Sequence, residues 1–291
     1  MMSKILKKSL CGVLAIAATV ASAATFTACE TSTPEVEIQI EFNNKTYTLD
    51  YTLYRELAPS TVAHFLALAD NGYYDGLCVH DFDDNRLFTG GYSYSDGAEN
   101  GGLVYKDYYA VVKSETFKDF PHTVWADSDK EDPLYTLYGE FDKNSFGVKN
   151  GSLLKETYGS LTMYYTEKDV DQEVLVQRAD GNGEDWKRYE YNSATSLFYI
   201  SLTTSDKMNN AYCTFATLDE DSVETLEALE DAIQDYIKAN YGSDGTQDDF
   251  VTEVEVAVDR NDPYVGEKDN EEDYEVPNEE IRIKKVTVNK F

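Results

Sequence analysis

Positive charge is scarce in this chain of 291 residues. Lysine and arginine together number 25, against 55 aspartate and glutamate residues, which gives a formal net charge of −30. Nucleic-acid binding requires a basic surface that neutralises phosphates, so the composition argues against DNA or RNA as a partner. The excess of negative charge favours solubility and repulsion from anionic surfaces, and it carries no information about the fold.

Cysteine is also rare, with four residues in the whole chain. Cys11 and Cys29 lie in the N-terminal segment, which leaves Cys78 and Cys213 for the folded part. An exported protein can hold a disulfide, and these two cysteines are either buried thiols in separate strands or the two halves of one bridge.

Ligand sets for metals are lacking as well. The acidic loops 127–132 and 180–185 resemble calcium loops, but neither has the glutamate at the twelfth position that supplies a bidentate ligand. His80 has no evident metal or nucleophile partner near it in the sequence, and His122 is isolated in a polar stretch. We therefore predict no metal and no cofactor, and we interpret His80 as a hydrogen-bonded structural residue.

The N-terminal segment has the layout of a bacterial export signal. Three lysines precede an uncharged stretch from Ser9 to Cys29 whose core is rich in Leu, Ile, Val and Ala. A membrane-spanning anchor is the alternative, since about 20 apolar residues cross a bilayer. The second half is rich in Ala, Thr and Ser, which fits a cleavage region better, and we expect residues 1–28 to be removed.

Cys29 follows Thr27-Ala28 in a pattern that resembles the end of a lipoprotein cleavage motif. We expect it to carry acyl chains that tether the protein to the extracytoplasmic side of the cell membrane, with residues 29–35 as a linker. Cleavage at Ala21-Ser22-Ala23 is the alternative and would give a secreted protein.

Short strands dominate the rest of the chain. Apolar and polar residues alternate over 36–42 and again over 47–53, which predicts a β-hairpin. Helical periodicity predicts one helix that begins at Pro59 and ends before Gly72, and a second over 222–239. A phase slip at Lys284-Lys285 predicts a β-bulge in the last strand.

Many short strands with two isolated helices indicate a β-barrel or a sandwich. Three stretches rich in charge, Gly or Asn fit no regular element, and we interpret them as acidic surface insertions: 93–133, 167–191 and 241–278.

Four blocks of sequence, in order, resemble the cyclophilin family of peptidyl-prolyl isomerases. They are Ala58-Pro59-Ser60-Thr61-Val62-Ala63-His64-Phe65-Leu66 continuing to Gly72-Tyr73-Tyr74-Asp75-Gly76, Val79-His80 with Thr89-Gly90-Gly91, Gly139-Glu140-Phe141 with Gly159-Ser160-Leu161-Thr162-Met163, and Ser193-Ala194-Thr195-Ser196-Leu197-Phe198-Tyr199-Ile200. The resemblance implies that residues 36–291 form a mainly β domain, a closed eight-stranded barrel capped by two helices. It also implies binding of proline-containing peptides or unfolded proteins, without a cofactor.

The family's catalytic arginine, which donates toward the prolyl nitrogen, corresponds to Asp81, and the glutamine that positions it corresponds to Thr89. Arg86 falls on a neighbouring pocket position, where it could replace the lost guanidinium, pair with Asp81 or lie in solvent. The resemblance places the proline pocket at seven further positions: His80, Leu87, Met163, Leu197, Tyr199, Met208 and Tyr212.

Two functions follow from this reading. The first is an exported peptidyl-prolyl isomerase that assists the folding of extracytoplasmic proteins and is slow because its donor set is altered. The alternative is a catalytically degenerate module that binds proline-containing peptides or a surface partner. A tyrosine excess that includes Tyr105, Tyr135 and Tyr164 serves either a peptide groove or internal packing.

Overall fold

A computed structural model describes residues 31–83, 85–98, 101–117, 119–141, 144, 154–164, 172–178, 181–189, 193–205, 212–257 and 271–291. The predicted export signal, Cys29 and Met208 lie outside these residues. In chain order, the strands are β1 (Glu35–Phe42), β2 (Lys45–Leu53), β3 (Leu77–Cys78), β4 (Asp81–Asp83), β5 (Arg86–Thr89), β6 (Tyr92–Tyr94), β7 (Leu103–Tyr105), β8 (Val124–Trp125), β9 (Leu137–Tyr138), β10 (Leu161–Met163), β11 (Glu173–Gln177), β12 (Glu184–Arg188), β13 (Ser193–Ala194), β14 (Phe198–Ser201), β15 (Cys213–Leu218), β16 (Val251–Ala257), β17 (Glu271–Pro277) and β18 (Arg282–Lys290).

The helices are α1 (Pro59–Asp70), α2 (Tyr108–Val112), α3 (Val223–Tyr241) and α4 (Gln247–Phe250). The two predicted helices are confirmed as α1 and α3, and α2 and α4 are single short turns that the periodicity did not predict. No helix in the described part of the chain is both long enough and apolar enough to cross a bilayer.

The main sheet has nine strands in the order β3-β18-β1-β2-β15-β10-β14-β5-β4 and curls into a half-barrel. The predicted closed eight-stranded barrel is therefore wrong in strand number and in closure. The two edge strands, β3 and β4, belong to one continuous segment of chain. Between them, the amides of Val79 and His80 donate to Ile281 and Phe88 on opposite sides of the opening, so no ladder joins edge to edge in the described residues.

The predicted hairpin and bulge are both confirmed. β1 pairs with β2 in one unbroken antiparallel register, from Glu35 opposite Thr52 to Phe42 opposite Lys45. On its other side β1 pairs with β18, and the register shifts where Gln39 faces Lys285 and Ile40 faces Ile283. Lys284 is the extra residue, which is what the phase slip in the sequence predicted.

Helix α1 begins without a capping side chain of its own, because Ala58 occupies the N-cap position. Glu140, 79 and 80 residues further along the chain, supplies the missing acceptor. Its carboxylate accepts the Ser60 amide at 3.1 Å, the Thr61 amide at 2.9 Å and the Thr61 hydroxyl at 2.7 Å. The buried carboxylate satisfies amides that every helix start leaves without partners.

The three predicted insertions contain regular elements. The first contains α2, β7 and β8, the second contains β11 and β12, and the third contains α4 and the β16–β17 hairpin. Their strands are short or strongly charged, so the period-two pattern was too weak to recognise. Cys78 and Cys213 are both buried and free, which settles the open choice in favour of thiols.

Candidate active site

The outer face of the curled sheet carries one continuous row of side chains. Asp81 on β4 lies opposite Phe88 on β5, and Phe88 lies opposite Tyr199 on β14. Tyr199 in turn lies opposite Thr162 on β10, and Thr162 opposite Thr214 on β15. Directly opposed residues share a face of a sheet, so these five residues form what we call the outer row.

Leu87 and Met163 do not belong to the outer row. Successive residues of a strand point to opposite faces, and both side chains pack in the main hydrophobic core. The prediction that Leu87 and Tyr199 line one pocket is therefore wrong by one position in the strand. Phe88 is the residue of β5 that meets Tyr199.

Aromatic rings extend the outer row into a cluster of four residues. The centroid of the Phe88 ring lies 5.1 Å from that of Tyr199 and 5.3 Å from that of Tyr164. Tyr212 stacks on Tyr164 at 5.9 Å and meets the edge of Tyr199 at 6.2 Å. We call Phe88, Tyr164, Tyr199 and Tyr212 the aromatic cluster, and offset or edge-on contacts of this kind stabilise such groups beyond their buried area.

The aromatic cluster is closely packed. Tyr199 is 1% exposed and Phe88 is 8% exposed. Tyr199 donates its hydroxyl to Glu156 at 3.1 Å, and Ser201 donates to the same carboxylate at 3.1 Å. Burial, and then the neighbouring Glu156 carboxylate, raises the pKa of the Tyr199 hydroxyl well above its ordinary value. Tyr199 is therefore a neutral hydrogen-bond donor at the cluster.

Arg86 lies at the margin of the aromatic cluster, with its guanidinium over the Tyr199 ring at 5.0 Å from the centroid. Its ion-pair partners are Glu156 at 3.5 Å and Asp83 at 3.8 Å. The predicted choice between pairing with Asp81 and lying in solvent is thus corrected. Asp83 is opposite Arg86 in the β4–β5 ladder, whereas Asp81 is opposite Phe88.

Asp81 sits beneath the β16–β17 hairpin. Its carboxylate accepts the backbone amide of Glu275 at 2.8 Å. Burial raises the pKa of the Asp81 carboxyl to about 7; the Glu275 amide acts in the opposite direction, and the charges of Asp83, Glu275 and Glu272 raise the pKa further. A carboxyl group here cannot perform the donor role of an arginine while it is ionised.

His80 and Thr89 both lie in the interior. Desolvation lowers the pKa of His80 to about 3, so its ring is neutral at physiological pH. The ring packs against Tyr92 at 4.9 Å and Tyr274 at 4.8 Å. Thr89 donates its hydroxyl to the carbonyl of Cys78 at 2.8 Å, which fixes the segment before β4 against β5. Both residues are therefore structural. The hydrogen bond predicted for His80 is not seen at Nδ1, which is buried without a partner among the described residues.

Leu197 precedes β14 and is nearly buried, with its carbonyl accepting the Tyr164 amide at 2.9 Å.

Of the predicted site, the structure thus brings together Asp81, Arg86, Tyr199 and Tyr212. Phe88 and Glu156 were not predicted, and Tyr164 was predicted to serve either a peptide groove or internal packing. The face on which Phe88 lies depends on the register between β5 and β14, and nothing in the sequence connects Glu156 to Tyr199. Among the described residues, no group of three His, Cys, Asp or Glu side chains could hold a metal ion.

Comparison with known proteins identifies the protein family that this chain resembles. Residues 37–175 match the family model described as cyclophilin type peptidyl-prolyl cis-trans isomerase/CLD. Peptidyl-prolyl cis-trans isomerase B of Bacillus subtilis is 38% identical over 84 residues, which are 29% of this chain and 51% of that protein. A putative peptidyl-prolyl cis-trans isomerase of Staphylococcus aureus is 25% identical over 145 residues, 50% of this chain and 61% of that protein.

This chain belongs to the cyclophilin family. A crystal structure of a cyclophilin type peptidyl-prolyl cis-trans isomerase from Cryptosporidium parvum aligns with a TM-score of 0.40 and 14% identity, over 89% of this chain and 99% of that one. The matched segments span about half to three fifths of the two bacterial relatives. The family model includes β4 and β5 and ends before β14 and β15, so it covers Asp81, Arg86 and Phe88 but not Tyr199.

Cyclophilins as a family bind proline-containing peptides. In this chain the outer row carries apolar and hydrogen-bonding side chains. The arrangement offers aromatic surface, one guanidinium held by two carboxylates, and a carboxyl group where the family resemblance implies an arginine. Because Tyr199 is 1% and Phe88 is 8% exposed, a proline ring reaches the aromatic cluster only if its side chains rearrange. The ion pairs with Glu156 and Asp83 involve Nε and Nη1 of Arg86, so donation to a prolyl nitrogen competes with two carboxylates for the guanidinium.

Proposed function

We propose that this protein is an exported cyclophilin-type peptidyl-prolyl isomerase that assists the folding of extracytoplasmic proteins, with low intrinsic activity. The proposal rests on two residues beside the aromatic cluster. Asp81, at the expected donor position, has a carboxyl group that accepts a hydrogen bond from the Glu275 amide. Arg86, the nearby guanidinium, is ion-paired with Glu156. The aromatic cluster beside this position is the surface that we expect to open to a proline ring, while the donor is weakened.

The barrier to rotation about the X-Pro bond determines how strongly a weakened donor lowers the rate. Rotation about a peptide bond has a barrier of about 18–20 kcal/mol because resonance gives it double-bond character, and X-Pro isomers are close in energy, so a catalyst has only the barrier to lower. Each ~1.4 kcal/mol of preferential stabilisation of the twisted state gives about a tenfold rate increase. Since two carboxylates already partly neutralise the Arg86 guanidinium, we expect it to stabilise the twisted state less than an unpaired arginine would.

The decisive experiment is a protease-coupled assay of cis–trans conversion in a short X-Pro peptide. We expect a measurable rate above the uncatalysed one, reduced at least about tenfold by Arg86→Ala if the guanidinium is the donor. Arg282→Ala is the matched control, because Arg282 is an ion-paired surface arginine on β18, remote in sequence from β5. Wild-type protein that gives only the uncatalysed rate would refute isomerase activity.

The alternative function is a binding module without catalysis. The observation in its favour is the same ion pairing of Arg86, which leaves the guanidinium engaged in the absence of a peptide. Titration of a labelled proline peptide separates the cases: saturable binding without rate enhancement supports the module, and absence of both rejects proline recognition.

Export and membrane attachment belong to the same proposal. The support is the N-terminal sequence, with its lysines, apolar core and Cys29, and the acyl chains would make the lipid bilayer a partner. Fractionation of cells that express the full chain is the test, with Cys29→Ser as the variant. We expect the wild type in the membrane fraction and the variant outside it; equal distribution of the two would reject lipidation. The acidic composition leads us to expect no nucleic-acid partner.

A further inference from the structure

The three-stranded sheet β12-β11-β8 carries an apolar row on one face that ends in an exposed tryptophan. Leu175 of β11 lies opposite Trp125 on one side and Trp186 on the other. These are the only two tryptophans of the chain. Trp125 is covered, partly by Lys130, whose ammonium lies 4.9 Å from its ring centroid, whereas Trp186 is 47% exposed. Trp186 lies on β12, the outermost strand of this sheet in the described structure.

The hydrogen-bond pattern of the β11–β12 ladder fixes which backbone groups of β12 point away from β11, toward the side where the described residues place no further strand. The amide of Tyr189 donates to Gln172 at 2.8 Å, and the amide of Arg178 donates to Gly183 at 2.9 Å. Bonded pairs alternate along an antiparallel ladder, so Lys187 and Asp185 also direct their backbone groups to β11. The amide and carbonyl of Trp186 therefore point away from β11, as do those of Glu184 and Arg188.

The order of charges along β12 is complementary to itself. The strand reads Glu184-Asp185-Trp186-Lys187-Arg188, two acids and two bases about a central tryptophan. When two such strands run antiparallel and pair at Trp186, Glu184 of each faces Arg188 of the other, and Asp185 faces Lys187. Opposite charges directly across a ladder stabilise it and like charges destabilise it. In a chain of net charge −30 this edge is locally neutral.

We propose that β12 is a self-association edge, through which two copies of this protein pair antiparallel about a two-fold axis at Trp186. The same surface serves both copies, as a two-fold interface requires. The outward backbone groups of three residues in each strand give about six hydrogen bonds. The row Trp125–Leu175–Trp186 then continues across the axis, so that two three-stranded sheets become one sheet of six strands.

Contacts within one copy are compatible with this pairing. Glu184 forms an ion pair with Lys130. Glu184 and Arg188 lie two residues on either side of Trp186 in β12, so strand alternation places both side chains on the face that carries Trp186. The net charge of each copy opposes association at long range. Because salt screens such repulsion within about 10 Å at 0.1 M, we expect dimerisation to strengthen at moderate ionic strength.

Sedimentation analysis of the protein from about 10 µM to about 500 µM in ~0.3 M salt tests the proposal, covering weak affinities that a short edge can supply. We expect a monomer–dimer equilibrium in the wild type. Glu184→Arg puts two arginines opposite each other at both ends of the pairing, and Arg188→Glu puts two glutamates there. Each variant should raise the dissociation constant at least about tenfold.

An equimolar mixture of the two variants provides the sharpest outcome. In a mixed pair, the strand with Glu184→Arg carries a base at both ends and the strand with Arg188→Glu carries an acid at both ends. Opposite charges then face each other at both ends of the pairing, and we expect dimers to return to the wild-type level. Glu253→Arg on β16 and Arg282→Glu on β18 change the net charge by the same amounts away from β12 and should leave association unchanged. Circular dichroism confirms that each variant is folded.

Three results would overturn the proposal: a wild type that stays monomeric throughout, a dimer indifferent to both charge reversals, or no recovery on mixing folded variants.

Discussion

Asp81 accepts the backbone amide of Glu275 at 2.8 Å, which joins β4 to a strand 194 residues later in the chain. The hairpin that contains Glu275 falls in a stretch that the sequence suggested was an insertion without regular structure. Its contact with β4 accounts for the burial of Asp81, and so for a carboxyl pKa of about 7. Asp81, where the family resemblance implies an arginine, thus contacts an added element instead.

The raised pKa of Asp81 predicts a pH dependence of stability. The unfolded chain releases this proton near pH 4 and the folded chain near pH 7, so the folded state binds more protons between these values and loses stability as the pH rises through them. Asp81→Asn keeps an acceptor for the Glu275 amide but cannot ionise. We expect the variant to be more stable than the wild type at pH 8, by on the order of a few kcal/mol, and similar to it at pH 4.

Urea unfolding at pH 4, 6 and 8 measures this difference. Asp83→Asn removes a carboxylate from the same strand and serves as the matched control, since Asp83 is partly exposed and ion-paired with Arg86. A wild-type protein and an Asp81→Asn variant with parallel pH profiles would show that Asp81 does not titrate in this range.

The Glu140 carboxylate predicts a large loss of stability on truncation. Glu140→Ala would leave the Ser60 and Thr61 amides at the start of α1 without their acceptor, and it would open a cavity in a buried region. We expect a decrease in the free energy of unfolding of about 2–4 kcal/mol, more than a simple cap loss. Thermal or urea unfolding measures it, with the exposed helix residue Glu224 changed to Ala as the control; equal effects of the two substitutions would contradict the capping role.

Local periodicity predicted the elements with strong patterns and missed the contacts between distant segments. The alternation over 36–42 and the slip at Lys284 were sufficient for β1, β2 and the bulge, because each depends on neighbouring residues. The placement of Leu87 was wrong because a match by motif does not fix the phase of a four-residue strand. Glu156 and Glu275 reach the site through long-range contacts, for which one sequence contains no signal.

Because Arg86 and Glu156 form an ion pair, we expect substitutions of the two residues to have coupled effects on the free energy of unfolding. Arg86→Ala leaves the nearly buried Glu156 without its cation, while Glu156→Gln removes the charge that the cation balances. We expect each single variant to be destabilised and the double variant to lose less than the sum. Neighbouring charged groups of this kind show coupling energies of about 0.5–3 kcal/mol. A double-mutant cycle by urea unfolding gives the value, and additive effects would indicate that the pair does not interact.

We expect a severe effect from adding a single methyl group at Gly90. Its φ is +102°, and a Cβ on this residue would lie 2.2 Å from the carbonyl oxygen of Ser196. Neither backbone can yield easily, because the Ser196 hydroxyl donates to the Gly90 carbonyl at 2.7 Å and β14 begins two residues later. We expect Gly90→Ala to cost more than about 3 kcal/mol of unfolding free energy, enough to abolish folding in a marginally stable domain.

Gly76→Ala is the matched control for this prediction. Gly76 also has a positive φ, +78°, but its added Cβ would meet nothing within 4 Å. Gly76→Ala should lose only the free energy needed to hold an alanine at a positive φ, about 1–2 kcal/mol. The yield of soluble protein and urea unfolding of both variants distinguish steric overlap from backbone strain. Similar losses at the two positions would mean that β14 moves to accept the methyl group, and that the junction between β5 and β14 beside the aromatic cluster is more adaptable than its contacts imply.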